Sequence, residues 1–289
     1  MISSARPFRT SLPKVIFPFA LVLQGAAGLL SISSVGCSAS KASAEVDGGG
    51  GAPGGGEQSG LLLWLKLDEA STNGAPADAS GMMNMATYGV AKPLVASSVP
   101  AAIKGFSNAA LKFDGLATVE IPATPAMTWP DDASSFTISA WANPESLPAT
   151  VEKWGSLIAN NPGGTGNQGY CGIAIAPDEK WSFESNGQDT ATGGIPVRGA
   201  AVVLGAWQHI AIVQNGAANT QTIYVNGVAG PAQMRGSSPC NSTASFSIGF
   251  KDGDGFVGMV DDVRIYGDPL TEPQVKELAA GKQTITPTP

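Results

Sequence analysis

Hydrolysis, acyl transfer and redox catalysis each need reactive side chains at a working spacing, and this sequence supplies few of them. A glycosidic bond is broken by two carboxylates held on either side of it. Asp131-Asp132 and Asp261-Asp262 are adjacent, so on a strand the members of each pair would face opposite sides. No strand-like run carries alternating acidic residues. His209 is the only histidine, and no G-x-S-x-G nucleophile elbow accompanies it, which removes support for acyl transfer. The composition points away from an enzyme.

Two glycine-rich stretches match ligand motifs by letter only. Residues 164–169, GTGNQG, spell G-x-G-x-x-G, but the strand-like run YCGIAIA follows where a dinucleotide fold needs a helix. They are read as a loop. Asp252-Gly-Asp254-Gly255 resembles the start of a twelve-residue calcium loop, yet Val263 stands where the closing Glu belongs. A tight hairpin turn explains that stretch.

Binding needs less than catalysis. Exposed aromatic rings stack on sugar faces, and amides supply hydrogen bonds around them. Trp154 and Tyr170 lie in or beside loops and Trp181 lies on a strand shared with Phe183, with Asn160, Asn161 and Gln168 nearby in sequence. These six residues are the candidates for glycan contact, against ordinary packing for each. Trp64, Trp141 and Trp207 fall inside strand-like runs and are expected in the core.

The formal charge is -7. Residues 1–36 hold three basic residues and no acidic ones, so the remainder carries 13 basic against 23 acidic side chains, or -10. An acidic surface without a Lys/Arg cluster repels phosphate backbones, and nucleic acid is not an expected partner.

Arg6, Arg9 and Lys14 precede the apolar run VIFPFALVLQGAAGLL and then small residues, the order of a secretory signal. The run is interrupted by Pro18 and Gln24 and is too short to span a bilayer. Ser34-Val35-Gly36-Cys37 resembles a bacterial lipobox, with Ser34 where Leu is usual. The resemblance implies a signal peptide over 1–36, lipidation of Cys37 and attachment to the cell envelope, most naturally the outer membrane; plain secretion is the alternative. Residues 37–60, rich in Gly and Ser, form a flexible tether. Cys171 and Cys240 then remain as an even pair in an oxidising compartment, read as a disulfide, against two separate buried thiols.

These candidates need a scaffold, and from Leu61 onward short β-type runs recur between turns: LLLWLKL, ALKFD, TVEI, SFTISAWA, SLIAN, YCGIAIA, KWSFES, HIAIVQ, TIYV, SFSIGF and FVGMVDDVRIY. Asn226-Gly227 predicts a hairpin turn, since both residues tolerate positive φ. Thr271-Glu-Pro-Gln274 opens a short helix to Ala280, with Gly281 as its stop. The fold class is all-β: a two-sheet antiparallel β-sandwich of the jelly-roll type over 61–281, a short C-terminal helix, and a tail over 282–289.

GLLLWLKLDEAS with Asp78-Ala-Ser-Gly81, then ALKFDG, FTISAWANP, WQHIA, TIYVNG, SFSIG and GMVDDVRIYGDPLTEPQV occur in the order of the LamG-like, concanavalin A-like jelly-roll modules, which the chain resembles over about 220 residues. The match departs at Met82-Met-Asn-Met-Ala86, where such modules often carry an Asn/Gly/Asp-rich turn. The resemblance implies a structural role for His209 in WQHIA. It also implies a structural calcium ion held by acidic residues of the first and last strands, with Asp261 or Asp262 as ligands and Asp68 as partner, against hydrogen bonds or an ion pair alone. Strand parity places Asp261 with Val263 and Ile265, and Asp262 with Arg264. The functional expectation is a non-catalytic envelope module for binding or adhesion that recognises polysaccharide, or alternatively a surface protein.

Overall fold

The computed structural model describes residues 60–68, 75–89, 94–96, 109–124, 135–149, 153–161, 171–185, 196–235, 245–251 and 253–285. The leader, Cys37 and the tether lie outside them. In chain order the strands are β1 Leu61–Leu65, β2 Thr87–Tyr88, β3 Leu94–Ala96, β4 Ala110–Asp114, β5 Val119–Ile121, β6 Phe136–Pro144, β7 Gly155–Asn161, β8 Cys171–Ile175 and β9 Lys180–Ser185. The second half holds β10 Val197–Ala201, β11 Gln208–Asn215, β12 Thr220–Val225, β13 Val228–Ala229, β14 Gln233–Met234, β15 Ser245–Ile248, β16 Phe250–Lys251, β17 Asp254–Gly255 and β18 Val257–Tyr266, then helix α1 Glu272–Ala279.

Two antiparallel sheets result. The first, sheet A, runs β13-β12-β11-β6-β18-β4-β3, with β1 also on β18 and β14 on β12; the second, sheet B, runs β10-β9-β8-β7-β15-β5-β2. Every pairing is non-local except the hairpins, so the first and last strands close the fold by lying side by side. The β12 to β13 turn is the one expected from sequence, with Asn226 at φ 51° and Gly227 at φ 74°. β16 and β17 pair as a small hairpin, at the stretch Asp252-Gly-Asp254-Gly255 read as a tight turn.

Alternation along the strands builds the core. In sheet A, Ile138, Ala140, Ala142, Ile210, Ile212, Val260, Val263 and Ile265 face inward, and in sheet B Ile158, Ile173, Phe183, Val197, Phe246 and Ile248 meet them in one apolar cluster. Removing this much aliphatic and aromatic surface from water is what holds the sandwich together, at about 25 cal/mol per Å².

A second apolar layer lies on the other face of sheet A. Ala211, Val213, Tyr224 and Tyr266 pack with Leu270, Val275, Leu278 and Ile285, so α1 and the segment after it cover the sheet. Thr271 N–H donates to Gln274 Oε1 at 2.8 Å at the start of α1, and Gly281, at φ 75°, ends the last turn through its N–H to Leu278 O. The packed fold continues past Gly281: Ile285 is buried, and Gln283 O accepts from Arg264 Nη1 at 3.0 Å.

The parity reading of β18 fails at one point. Asp261 lies opposite Trp141, but the register shifts before Arg264, which lies opposite Ser139. Asp262, at φ 50°, is the extra residue of this β-bulge. The bulge flips the alternation: Asp261 shares the outer face with Trp141 and Arg264, while Val263 and Ile265 enter the core.

Candidate functional site

The outer face of sheet A holds the most polar buried cluster among the described residues. His209, Trp141 and Asp261 lie in one row across β11, β6 and β18. The Trp141 and His209 rings meet edge to face at 5.4 Å. Burial, reinforced by the positive charge of Arg264, lowers the His209 pKa to about 3, so the imidazole is neutral near neutral pH and only weakly basic. Beside this row Asp262 Oδ1 accepts Trp64 Nε1 at 2.6 Å and Arg264 Nε at 2.9 Å. The Arg264 guanidinium also lies 4.4 Å from the Trp64 ring centre. Burial opposes the Arg264 charge, and the Asp262 carboxylate and Tyr266 more than offset it, raising its pKa.

Of the calcium candidates Asp68, Asp261 and Asp262, the last is already held by other partners. A hard cation needs six or more oxygen ligands, whereas Asp262 is engaged by an indole and a guanidinium. Among the described residues, no group of three or more His, Cys, Asp or Glu is placed to hold a metal. The hydrogen-bonded ion pair is what this chain builds there.

A second polar knot was not predicted. Asp78, bridged to Leu65, accepts from Trp64 N at 3.0 Å, Ser80 N at 2.9 Å and Asn84 N at 2.9 Å, and from the Ser80 and Asn84 side chains. Partial burial raises its pKa, and these donors overcome that and lower it. Asn84, buried, also donates to Leu62 O at 2.7 Å and accepts from Thr124 Oγ1 at 2.9 Å. The Asp78-Ala-Ser-Gly81 match to jelly-roll modules was the available signal.

The glycan candidates separate on burial. Trp181 is wholly buried between the sheets and donates to Gln208 Oε1 at 3.0 Å; it cannot meet a ligand. Asn160 is equally buried and its Oδ1 accepts the Cys171 N–H, which corrects its expected role. On β7 and β9 these two fall at inward positions, which neighbouring amides and tryptophans in the sequence do not reveal. Asn161 ends β7, opposite Ser245. Gln168 and Tyr170 lie outside the described residues. Cys171 is buried and disulfide-bonded; Cys240 lies outside the described residues.

Trp154 lies beside the start of β7. Half-buried just before β7, it lines a pocket of about 240 Å³ with Leu147, Pro148, Lys153, Ile175 and Val257. Arg198 stands 5.2 Å from its ring centre and is itself fixed by Asp178 at 3.3 Å and by the Ser182 hydroxyl. Lys153 donates to Gly253 O at 3.3 Å, tying the β16–β17 hairpin to the rim. The result is an indole at the end of a sheet B strand with one cation, Arg198, over its ring.

On the outer face of sheet B, Ser156, Ala174, Ser182 and Arg198 form one row, and Thr87, Glu120, Ser247, Ala159, Gly172 and Glu184 form the next. Ser156, Ala174 and Ser182 of the first row are buried, and Arg198 ends that row on β10 with its guanidinium 5.2 Å from the Trp154 ring, which enters from the β7 end. Glu120 and Glu184 are four strand spacings apart, about 19 Å, against the roughly 5 to 9.5 Å that separates a glycosidase pair.

A two-sheet jelly roll with one covered face and a rim pocket is a β-sandwich of the lectin and glucanase class. The model of the concanavalin A-like lectin/glucanases superfamily matches residues 114–276, more than half of the chain, and the chain belongs to that superfamily. Domain 4 of AbnA, an extracellular arabinanase from Geobacillus stearothermophilus in complex with arabinotriose, is similar at TM-score 0.56 and 19% identity, over 77% of this chain and 100% of that one. The binding domain of Botulinum neurotoxin DC, in complex with rat synaptotagmin II, is similar at TM-score 0.57 and 15% identity, over 76% of this chain and 51% of that one. The binding domain of Paraclostridial Mosquitocidal Protein 1 gives TM-score 0.56 and 17% identity, over 76% of this chain and 52% of that one. The chain thus spans about half the length of those toxin domains. At these identities the likeness is one of fold. No curated protein matches the sequence.

Proposed function

We propose that this protein is a non-catalytic binding module that takes a carbohydrate chain at the Trp154 pocket. The observation that carries the reading is the Trp154 indole, fixed by Arg198 beside a pocket of sugar-ring size, because a sugar face stacks on an immobilised aromatic ring with little entropic loss. Lys153 in the pocket lining and Arg198 beside the Trp154 ring would bond hydroxyls or an acidic substituent. A neutral, buried His209 and widely separated carboxylates support binding without hydrolysis. The bound arabinotriose of the AbnA domain is in keeping with this reading.

In this proposal the module is exported under the 1–36 signal, lipidated on Cys37 and held from the outer membrane by the 37–60 tether, with Cys240 as the disulfide partner of Cys171. Mass spectrometry of the mature N-terminus reads the anchor, and peptide mapping without reduction reads the bridge.

The test of function is a glycan and polysaccharide array followed by calorimetry on the chain and on Trp154→Ala. Saccharide binding that weakens about tenfold or more in the variant, with a melting temperature lowered by no more than a few degrees, is the expected result. An array without signal overturns the reading, and capture of a surface protein in its place favours a protein-interaction module.

A further inference from the structure

The turn between β1 and β2 carries three of the seven methionines of the chain in four consecutive positions, Met82, Met83 and Met85. They are 44%, 86% and 72% exposed. Asn84 between them is buried and fastened to Leu62, Asp78 and Thr124, and Met82 N–H donates to Ser80 Oγ at 3.1 Å. The backbone is therefore pinned from inside while the thioether side chains stand in solvent. Met83 adopts φ 57°, a conformation that costs a methionine more than the Gly or Asn common in turns.

Apolar packing does not account for this arrangement. None of the three side chains belongs to either buried apolar cluster, and the other exposed large apolar residues described are mostly aliphatic: Leu116, Val203, Leu204, Val228 and Met234. What distinguishes the turn is sulfur. A thioether is a soft, neutral ligand that selects monovalent copper over hard cations and, unlike a thiol, is not consumed by disulfide formation. Three freely rotating Met side chains within four residues can close around one ion, since each has three rotatable bonds. The Asp78 carboxylate, hydrogen-bonded to Asn84 at 2.8 Å and held ionised by its donors, adds negative potential beneath the turn.

We propose that Met82, Met83 and Met85 form a surface thioether site for Cu(I), separate from the Trp154 pocket and independent of any carbohydrate it takes. The test is anaerobic titration of the chain, thiols first blocked with N-ethylmaleimide, with Cu(I) held by ascorbate in competition with bicinchoninate. Ag(I) serves as a redox-inert second probe, read through methionine methyl NMR shifts. About one equivalent of Cu(I) should bind, with the methyl signals of Met82, Met83 and Met85 moving while that of Met234 stays in place. Met83→Leu should weaken binding about tenfold, and the triple variant M82L/M83L/M85L should abolish it at an unchanged melting temperature, since leucine preserves volume and apolarity. Failure of the chain to withdraw copper, or full retention of copper by the triple leucine variant, overturns the site. In the first case a partner that binds the leucine variant equally well would mark the turn as an apolar contact.

Discussion

Trp64 Nε1 donates a 2.6 Å hydrogen bond to Asp262 Oδ1 across 198 residues of sequence. This bond ties the first strand to the bulge of the last one. It also completes a buried arrangement in which Arg264 is both ion-paired to Asp262 and set over the Trp64 ring.

Asp262→Asn keeps the left-handed backbone that the bulge needs, because asparagine tolerates positive φ, but it leaves Arg264 buried without its counter-charge. Breaking a buried pair this way costs about 3 to 5 kcal/mol, which urea denaturation will read as a lower midpoint with an unchanged slope. The same melting temperature is expected in calcium and in EDTA, since the carboxylate is already committed.

His209 makes stability depend on pH. Its folded pKa of about 3 lies below the ordinary 6.5, so between those values the unfolded chain binds the proton and the folded chain does not. Stability is full above pH 6.5 and falls as the pH drops, by up to about 1.4 kcal/mol per pH unit. Asp78, whose carboxyl is lowered from 3.8, adds a loss only in the more acidic range. Denaturation midpoints between pH 6.5 and 4.5 should therefore flatten in His209→Gln; an unaltered slope would assign the effect elsewhere.

Two tryptophans of one notional class should part company. Trp181→Ala opens a cavity between the sheets and removes one of the two donors to Gln208 Oε1, costing about 3 to 5 kcal/mol. Trp154→Ala removes only a rim ring and one cation contact, about 1 kcal/mol or less. Equilibrium unfolding of both variants distinguishes them directly.

Much of the fold was readable because alternation, turns and capping are local. LLLWLKL, SFTISAWA, HIAIVQ and TIYV are short apolar runs between turns, Asn226-Gly227 carries the positive φ of a hairpin, and Thr271 to Gln274 the start of α1. Residues 94–96 and 197–201 were missed as strands, since LVA and VRGAA have too few large apolar residues to signal one. Their partners in the sheet, not their own sequence, make them extended.

The sequence alone determined the sandwich and its terminal helix, for these follow from the order of side chains along the backbone. Only the tertiary structure decided which faces those side chains occupy. A single extra residue at Asp262 moved Asp261 to the outer face and Val263 to the core, and inward positions on β7 and β9 buried Asn160 and Trp181 while Trp154 remained at a rim. The physical reason is that exposure and pairing depend on which strand lies alongside, and the strand lying alongside is in most cases far away in the chain.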